Sequence, residues 1–118
     1  MSYRIDKVSN LIKQEISLIF LHKLQDETFG MVTVTNVKVS SDLRNAKVYI
    51  SVFDRERREL VMGKIKSITG LIRSELGSRI RLKFTPELSF FIDDTSDYIE
   101  KIEGLIKKIH QNDNKGND

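Results

Sequence analysis

Apolar residues recur at steps of three and four positions in three long stretches of this chain, residues 5–24, 60–76 and 97–110. In the second stretch they are Val61, Ile65, Ile68, Ile72 and Leu76. This spacing places the apolar side chains along one face of an α-helix, and that face is expected to pack against another layer. The sequence therefore predicts three amphipathic helical segments.

Alternation of apolar and polar residues, which is typical of β-strands, follows the first of these stretches. Residues 46–53 alternate cleanly, with Ala46, Val48, Ile50 and Val52 on one face. Residues 31–40 alternate with a break near Asn36, so Val32 and Val34 are expected on one face and Val37 and Val39 on the other, with a β-bulge between them. The turn residues "SSDLRNA" join the two segments and predict a hairpin.

A third strand is predicted where residues 79–84 alternate strictly. Ile80, Leu82 and Phe84 are expected in the core, with Arg79, Arg81 and Lys83 exposed on the other face. Pro86 interrupts the pattern before it resumes up to Asp93, so a bulge, a bend or a sheet edge is expected there.

The order of elements is helix, strand, strand, helix, strand, helix, which predicts a two-layer α+β domain with helices on one face of a three-stranded sheet. A chain of 118 residues is enough for one such domain. Residues 1–110 are assigned to it, and residues 111–118, "QNDNKGND", are expected to form a disordered polar tail.

Several classes of protein are disfavoured by residues that the chain lacks. It has no Cys, which excludes disulfides and thiolate metal sites. No apolar run is long enough to span a membrane and the first ten residues lack a signal-peptide core, so a cytoplasmic protein without a membrane partner is expected.

Catalytic and metal-binding patterns are weak. His22 and His110 have no companions at metal-ligand spacing, and "DDTSD" at residues 93–97 is explained by capping of the last helix. No phosphate-binding loop or nucleophile motif occurs. No enzymatic activity, metal or cofactor is expected.

Positive charge is concentrated in the middle of the chain. Residues 44–83 contain eleven Lys and Arg against four Asp and Glu, a balance of +7, whereas residues 84–118 have a balance of −4. Such a block favours a polyanionic partner, although a solvated surface of uneven charge remains an alternative. The candidate RNA-binding residues are Arg44, Lys47, Lys64, Lys66, Arg73, Arg79, Arg81 and Lys83.

Glycines interrupt the second helical stretch. Gly63 and Gly70 each cost about 1 kcal/mol relative to Ala in a helix interior. Gly70 predicts two shorter helices that meet at a bend, either because only a hydrogen atom fits there or because the backbone approaches an RNA phosphate. Gly77 is expected to cap the C-terminus of the second helix. No two glycines are three residues apart, so the Gly-X-X-Gly clamp of ordinary KH modules is absent.

The segment "GLIRSELGSRIRLKFTPELSFFIDDT", residues 70–95, resembles the signature region of the ribosome-binding factor A family. "VKVSSDLRNAKVYISVF" is similar to the hairpin of that family. Arg4 and Val8 match its opening segment, and Asp26 matches the acidic residue that follows its first helix. The resemblance covers roughly residues 3–110.

This resemblance implies a KH-like fold of type II topology, in which a kinked helix replaces the Gly-X-X-Gly loop, with an extra C-terminal helix. The family kink reads Ala-X-Gly, and here Ile68, Thr69 and Gly70 stand in its place. The implied function is ribosome biogenesis. The family binds the immature small ribosomal subunit and its precursor rRNA, supports maturation of the 5′ end of 16S rRNA, and matters most in the cold. An assembly GTPase is a further partner to consider, and a monomer is expected.

Two other functions remain open from the residues alone. One is a KH-like domain that binds other RNA or single-stranded DNA. The other is a protein-interaction module whose basic face docks an acidic partner.

Overall fold

The computed structural model of this chain describes residues 2–24 and 26–116. For residues 2, 3, 96 and 110–116 it describes the backbone only. The helices are α1 (Ser2–Lys23), α2 (Arg58–Arg79) and α3 (Thr95–Gly116), and a 3-10 turn at Arg55–Arg57 precedes α2. The strands are β1 (Val32–Val39), β2 (Asn45–Val52) and β3 (Glu87–Ile92). The predicted α+β class, with its order of helices and strands, is confirmed.

The three strands form one sheet in the order β1-β2-β3, with β1 and β2 antiparallel and β2 and β3 parallel. The pairing register shifts between Val34 and Asn36, which confirms the predicted bulge. The bulge adds one residue to β1, so Val34 and Val37 are both buried. Their expected placement on opposite faces was therefore wrong.

One hydrophobic core lies between the sheet and the helices α1 and α2. Ile12, Ile16 and Ile19 of α1 are fully buried, as are Val61, Ile65, Ile72 and Leu76 of α2. The sheet contributes the predicted inward residues Ala46, Val48, Ile50 and Val52. The helical and strand periodicities thus identified most of this core.

The third strand begins later than predicted. Helix α2 continues to Arg79, residues 80–86 are irregular, and β3 starts at Glu87, whose N–H donates to the carbonyl of Arg44 (2.8 Å). Ile80 is buried and Leu82 is partly buried, but Phe84 is 59% exposed and is not a core residue. Alternation alone misplaced Phe84, because an irregular segment does not hold successive side chains on opposite faces.

Helix α2 is uninterrupted through Ile68, Thr69 and Gly70, where two shorter helices were predicted. A Cβ atom on Gly70 would meet no atom within 4 Å, so close packing does not explain this glycine. Gly77 lies inside α2 and is not its cap, and its Cβ would lie 2.7 Å from Thr85 Oγ1. The crowded glycine is therefore Gly77, and a bend of the helix axis at Gly70 stays a prediction.

Helix α3 extends beyond both predicted ends, from Thr95 to Gly116. No proline interrupts the polar residues that follow residue 110, so an established helix can propagate through them. The predicted disordered tail is thus helical over residues 111–116, whereas residues 117 and 118 lie outside the described residues. That residues 111–118 add nothing to the core stays a prediction.

The apolar stripe of α3 is not buried as its spacing suggested. Ile99, Ile102 and Ile106 are 49%, 40% and 47% exposed. The helix is held to the domain by ion pairs from Asp97 to Arg55 (2.9 Å) and Arg58 (2.7 Å). The hydrogen bond to Asp97 raises the pKa of Arg58 and lowers that of Asp97, so both groups remain charged.

Candidate nucleic-acid interface

Helix α2 presents a row of small residues at alternating steps of four and three positions, namely Gly63, Ser67, Gly70, Ser74 and Gly77. All but Gly77, which is half-buried, are exposed. Such steps keep the residues on one face of the helix. Because the residues of the row carry no long side chain, a ligand can approach the helix backbone closely along it, with Lys66 and Arg73 at its edge.

Phe84 stands beside this row in the irregular segment 80–86. The guanidinium carbon of Arg44 lies 5.9 Å from the centre of its ring, and Lys83 Nζ lies 5.6 Å from it. Both distances are within the range of cation–π attraction. An exposed aromatic ring between two cations offers a face for stacking a base next to charges that attract phosphate.

An open groove of ≈ 400 Å³ runs between the row and Phe84. It is lined by Gly70, Arg73, Ser74, Gly77, Lys83, Phe84 and Thr85. We call this groove, together with Arg44, the Phe84 surface. This surface brings together four residues that the sequence predicted to contact RNA or to shape the helix, namely Arg44, Gly70, Arg73 and Lys83.

Arg73 holds the Phe84 surface in shape. Its guanidinium group donates from Nη2 to the carbonyl of Thr85 (2.8 Å) and from Nε to that of Pro86 (3.1 Å). Glu87 lies 3.4 Å from the same group. These bonds satisfy backbone carbonyls that a strand ladder would otherwise use, so Arg73 fixes the irregular segment against α2. An RNA contact by Arg73 stays a prediction.

The other predicted cations are spread around this surface. Lys66 lies three residues after Gly63 and four before Gly70, at the edge of the small-residue row. Lys64 and Arg81 are exposed, and Arg79 lies 3.4 Å from Glu15 of α1. Lys47 is apart from this group, on the outward face of β2.

Ion pairing decides which part of the basic block carries free charge. Arg55 pairs with Asp97 and Glu100, Arg57 with Asp54 (3.2 Å), and Arg58 with Asp97. In the described part of the chain, six predicted cations make no ion pair, namely Arg44, Lys47, Lys64, Lys66, Arg81 and Lys83. The unneutralised charge therefore lies on and around the Phe84 surface and on the sheet.

The acidic segment that begins at Asp93 is occupied by structural bonds. Asp93 accepts hydrogen bonds from Thr35 Oγ1 (2.6 Å) and from the N–H of Thr95 (3.0 Å). The bond from Thr35 is the main cause that lowers the pKa of Asp93, with the bonds from Thr95 adding to it. Among the side chains that the structure describes, no group of three potential ligands lies close enough to hold a metal ion.

His22, the histidine whose side chain the structure describes, forms no catalytic or metal site with other described residues. His22 is exposed on α1, and the side chain of His110 lies outside the described residues. None of the described helices is long and apolar enough to cross a membrane.

Sequence reasoning missed Phe84 as a surface residue and missed the small-residue row. The nearby Pro86 was the available signal for Phe84, because a proline two residues later weakens the case for a paired strand. The row could have been found from the four-and-three spacing that was used for apolar residues.

We predict that Gly70→Ala raises the free energy of unfolding by about 1 kcal/mol, because Ala favours the helix and its Cβ meets open space. If RNA approaches the backbone at Gly70, the same variant should bind precursor small subunits less well. Thermal unfolding and co-sedimentation measure the two effects. A variant that is more stable and binds as tightly as the parent would exclude contact at Gly70.

In a comparison with known protein families, residues 4–106 match the family model described as Ribosome-binding factor A. Ribosome-binding factor A of Trichodesmium erythraeum is 43% identical over 111 residues, covering 92% of this chain and 81% of that protein. Ribosome-binding factor A of Staphylococcus epidermidis is 40% identical over 111 residues, covering 93% and 96%.

Solved structures show the same likeness in the fold. The crystal structure of ribosome-binding factor A from Thermus thermophilus has a TM-score of 0.66 at 20% identity, covering 75% of this chain and 94% of that chain. A homology model of the Thermus thermophilus protein, fitted into a cryo-EM map of its 30S complex, has a TM-score of 0.63 at 22% identity, covering 72% and 90%. The predicted KH-like fold is confirmed by these likenesses.

Proposed function

Because this chain belongs to the ribosome-binding factor A family, we propose that it binds the immature small (30S) ribosomal subunit through its rRNA and acts there as an assembly factor. It supports late maturation of the subunit and processing of the 5′ end of 16S rRNA, with its largest effect in the cold. It works in the cytoplasm as a monomer, by binding and without catalysis. An assembly GTPase is the further protein partner to test.

The Phe84 surface carries this proposal. It combines an exposed aromatic ring, two nearby cations and the row of small residues on α2. RNA-binding modules use aromatic rings to stack unpaired bases and cations to hold phosphates. A relative of the same fold from Thermus thermophilus has been fitted into a map of its 30S complex, which supports the small subunit as the partner to test.

The test is co-sedimentation of the protein with precursor small subunits, mature small subunits and a single-stranded RNA of equal length to the precursor 5′ extension. An assembly factor should sediment with precursor subunits in clear excess over mature ones. Equal binding to the two kinds of subunit and to the free RNA would point to a general single-stranded nucleic-acid binder. If the protein binds none of these three but does bind an acidic protein in a parallel experiment, it would be a protein-interaction module.

Binding to precursor subunits should weaken steeply as salt rises. Each phosphate that a cation neutralises releases counterions, so the logarithm of the affinity falls by roughly 0.7–0.9 per tenfold rise in salt for each contact. Four to six contacts from the unpaired cations would lower the affinity by roughly fifty-fold to a thousandfold between 50 and 200 mM salt. Affinity that does not change over this range would contradict a phosphate-based interface.

A further inference from the structure

The sheet has a second face that the core does not use. On β2, Lys47, Tyr49 and Ser51 alternate with buried residues and point away from α1 and α2. Lys47 of β2 and the β3 residues Ser89 and Phe91 are exposed. Within the described part of the chain, therefore, no helix covers this outward face.

Aromatic residues from two strands form a platform on this face. Tyr49 of β2 is in register with Phe91 of β3, and their ring centres lie 5.6 Å apart with an angle of 30° between the planes. Phe91 is 41% exposed. Lys38 Nζ of β1 lies 5.6 Å from the centre of the Tyr49 ring. A cation and two aromatic rings thus follow one another across all three strands.

Two lysines stand next to this platform without acidic partners. Lys38 and Lys47 are paired residues of β1 and β2, and neither makes an ion pair with any described residue. Like charges directly opposite each other destabilise a sheet, so this pair is unfavourable for the free protein. An anion bound between the two ammonium groups would remove the repulsion.

The carboxylates at the margins of the face do not neutralise these lysines. Asp93 accepts hydrogen bonds from Thr35 (2.6 Å) and Thr95. Glu87 lies 3.4 Å from Arg73. Glu87 is thus paired with Arg73, whereas Asp93 keeps its negative charge and lines a hollow together with Asp94, Lys38 and Tyr49. Neither aspartate makes an ion pair with Lys38 or Lys47, so an anion is expected at the lysine pair on the side away from these two carboxylates.

We propose that this face binds an unpaired segment of RNA, with a base stacked on Phe91 and Tyr49 and the adjoining phosphate between Lys38 and Lys47. Lys47 and Tyr49 are two residues apart on one strand, about 6–7 Å, which is close to the length of one nucleotide of backbone. The proposal rests on the proposed function for the identity of the RNA. It adds a contact on the face of the sheet opposite the core, separate from the Phe84 surface.

The platform can be tested with a six-residue oligoadenylate, whose bases stack well, followed by tyrosine fluorescence. The chain has no Trp and three Tyr, so stacking on Tyr49 should quench a large share of the signal. Phe91→Leu keeps an apolar side chain but removes the ring, and it should weaken oligoadenylate binding about tenfold, as expected for the loss of one stacked base. Phe91→Tyr restores a ring and should recover the affinity.

Matched variants separate stacking from general effects. Tyr98→Leu removes another exposed aromatic ring, 66% exposed on α3, and should leave the affinity unchanged. Lys47→Gln should reduce the salt dependence of binding by roughly one phosphate contact. Far-ultraviolet circular dichroism should be that of the parent for each variant, because Phe91, Lys47 and Tyr98 are exposed. The melting temperature should change by only a few degrees, upward for Lys47→Gln, which removes a like-charge pair, and downward for Phe91→Leu, which removes an aromatic pair.

Equal oligoadenylate affinity for Phe91→Leu and the parent would overturn the proposal, as would equal losses for Phe91→Leu and Tyr98→Leu. Tight binding of polyglutamate, weakened by Phe91→Leu as much as RNA binding is, would overturn it in favour of a protein partner. The proposed function is tested separately from this platform. If the parent binds oligoadenylate in a Phe91-dependent way but does not sediment with precursor subunits, the assembly role fails while the platform remains.

Discussion

Replacing Arg44, Arg81 and Lys83 together by Glu should weaken binding to precursor small subunits by at least about a hundredfold. Each of these exposed side chains carries a charge that no described carboxylate neutralises. One unit charge 4 Å from a phosphate contributes about 1 kcal/mol even in water, so removing three attractions already lowers the affinity by about two orders of magnitude. The three introduced carboxylates add repulsion.

A control variant with the same change in net charge distinguishes the effect of where the charges lie from the effect of the total charge. Lys101, Lys107 and Lys108 are exposed on α3, and their replacement by Glu changes the net charge by the same amount. This variant should keep most of the affinity if the Phe84 surface is the interface. Equal losses in the two triple variants, measured by co-sedimentation at one salt concentration, would assign the binding to overall charge.

The first half of the fold could be predicted because its patterns are local. The stripe of α1 and the alternation of β2 each follow from one period of the sequence. The structure buries Val8, Ile12, Ile16 and Ile19 of α1 and the inward residues of β2, whereas the leucines expected to widen the α1 stripe, Leu11, Leu18 and Leu21, are exposed. The bulge near Asn36 was also visible, as a break in alternation. Its effect on Val34 and Val37 was not, because the faces of β1 are set by pairing with β2.

The segment 79–84 could not be predicted correctly because distant contacts decide its structure. Its strict alternation is typical of a strand, yet α2 continues through Arg79 and the backbone of residues 85 and 86 is bound by Arg73. Gly77 allows Thr85 to approach the helix at that point. These interactions join residues eight to thirteen positions apart, which no alternation pattern reports.

The candidate site was partly visible in the sequence. The surplus of positive charge at residues 44–83 identified the region, but not which cations are free. Arg55 is neutralised by Asp97 and by Glu100, which is 45 residues away along the chain. Phe84 was assigned to the core for the same reason that β3 was extended too far. The charge pattern therefore located the surface, and tertiary contacts selected its members.

Ile72→Ala is expected to lower the free energy of unfolding by about 2–5 kcal/mol, because Ile72 is fully buried at the centre of α2 and the variant leaves a cavity in a close-packed core. Leu71→Ala is the matched control, since Leu71 is the adjacent residue of the same helix and is 57% exposed. It should cost well under 1 kcal/mol, as surface substitutions usually do. Chemical denaturation followed by circular dichroism measures both values. The folded fraction of Ile72→Ala should still bind precursor subunits, because Ile72 faces the core and not the small-residue row. Similar losses of stability in the two variants would mean that the buried face of α2 has been assigned wrongly.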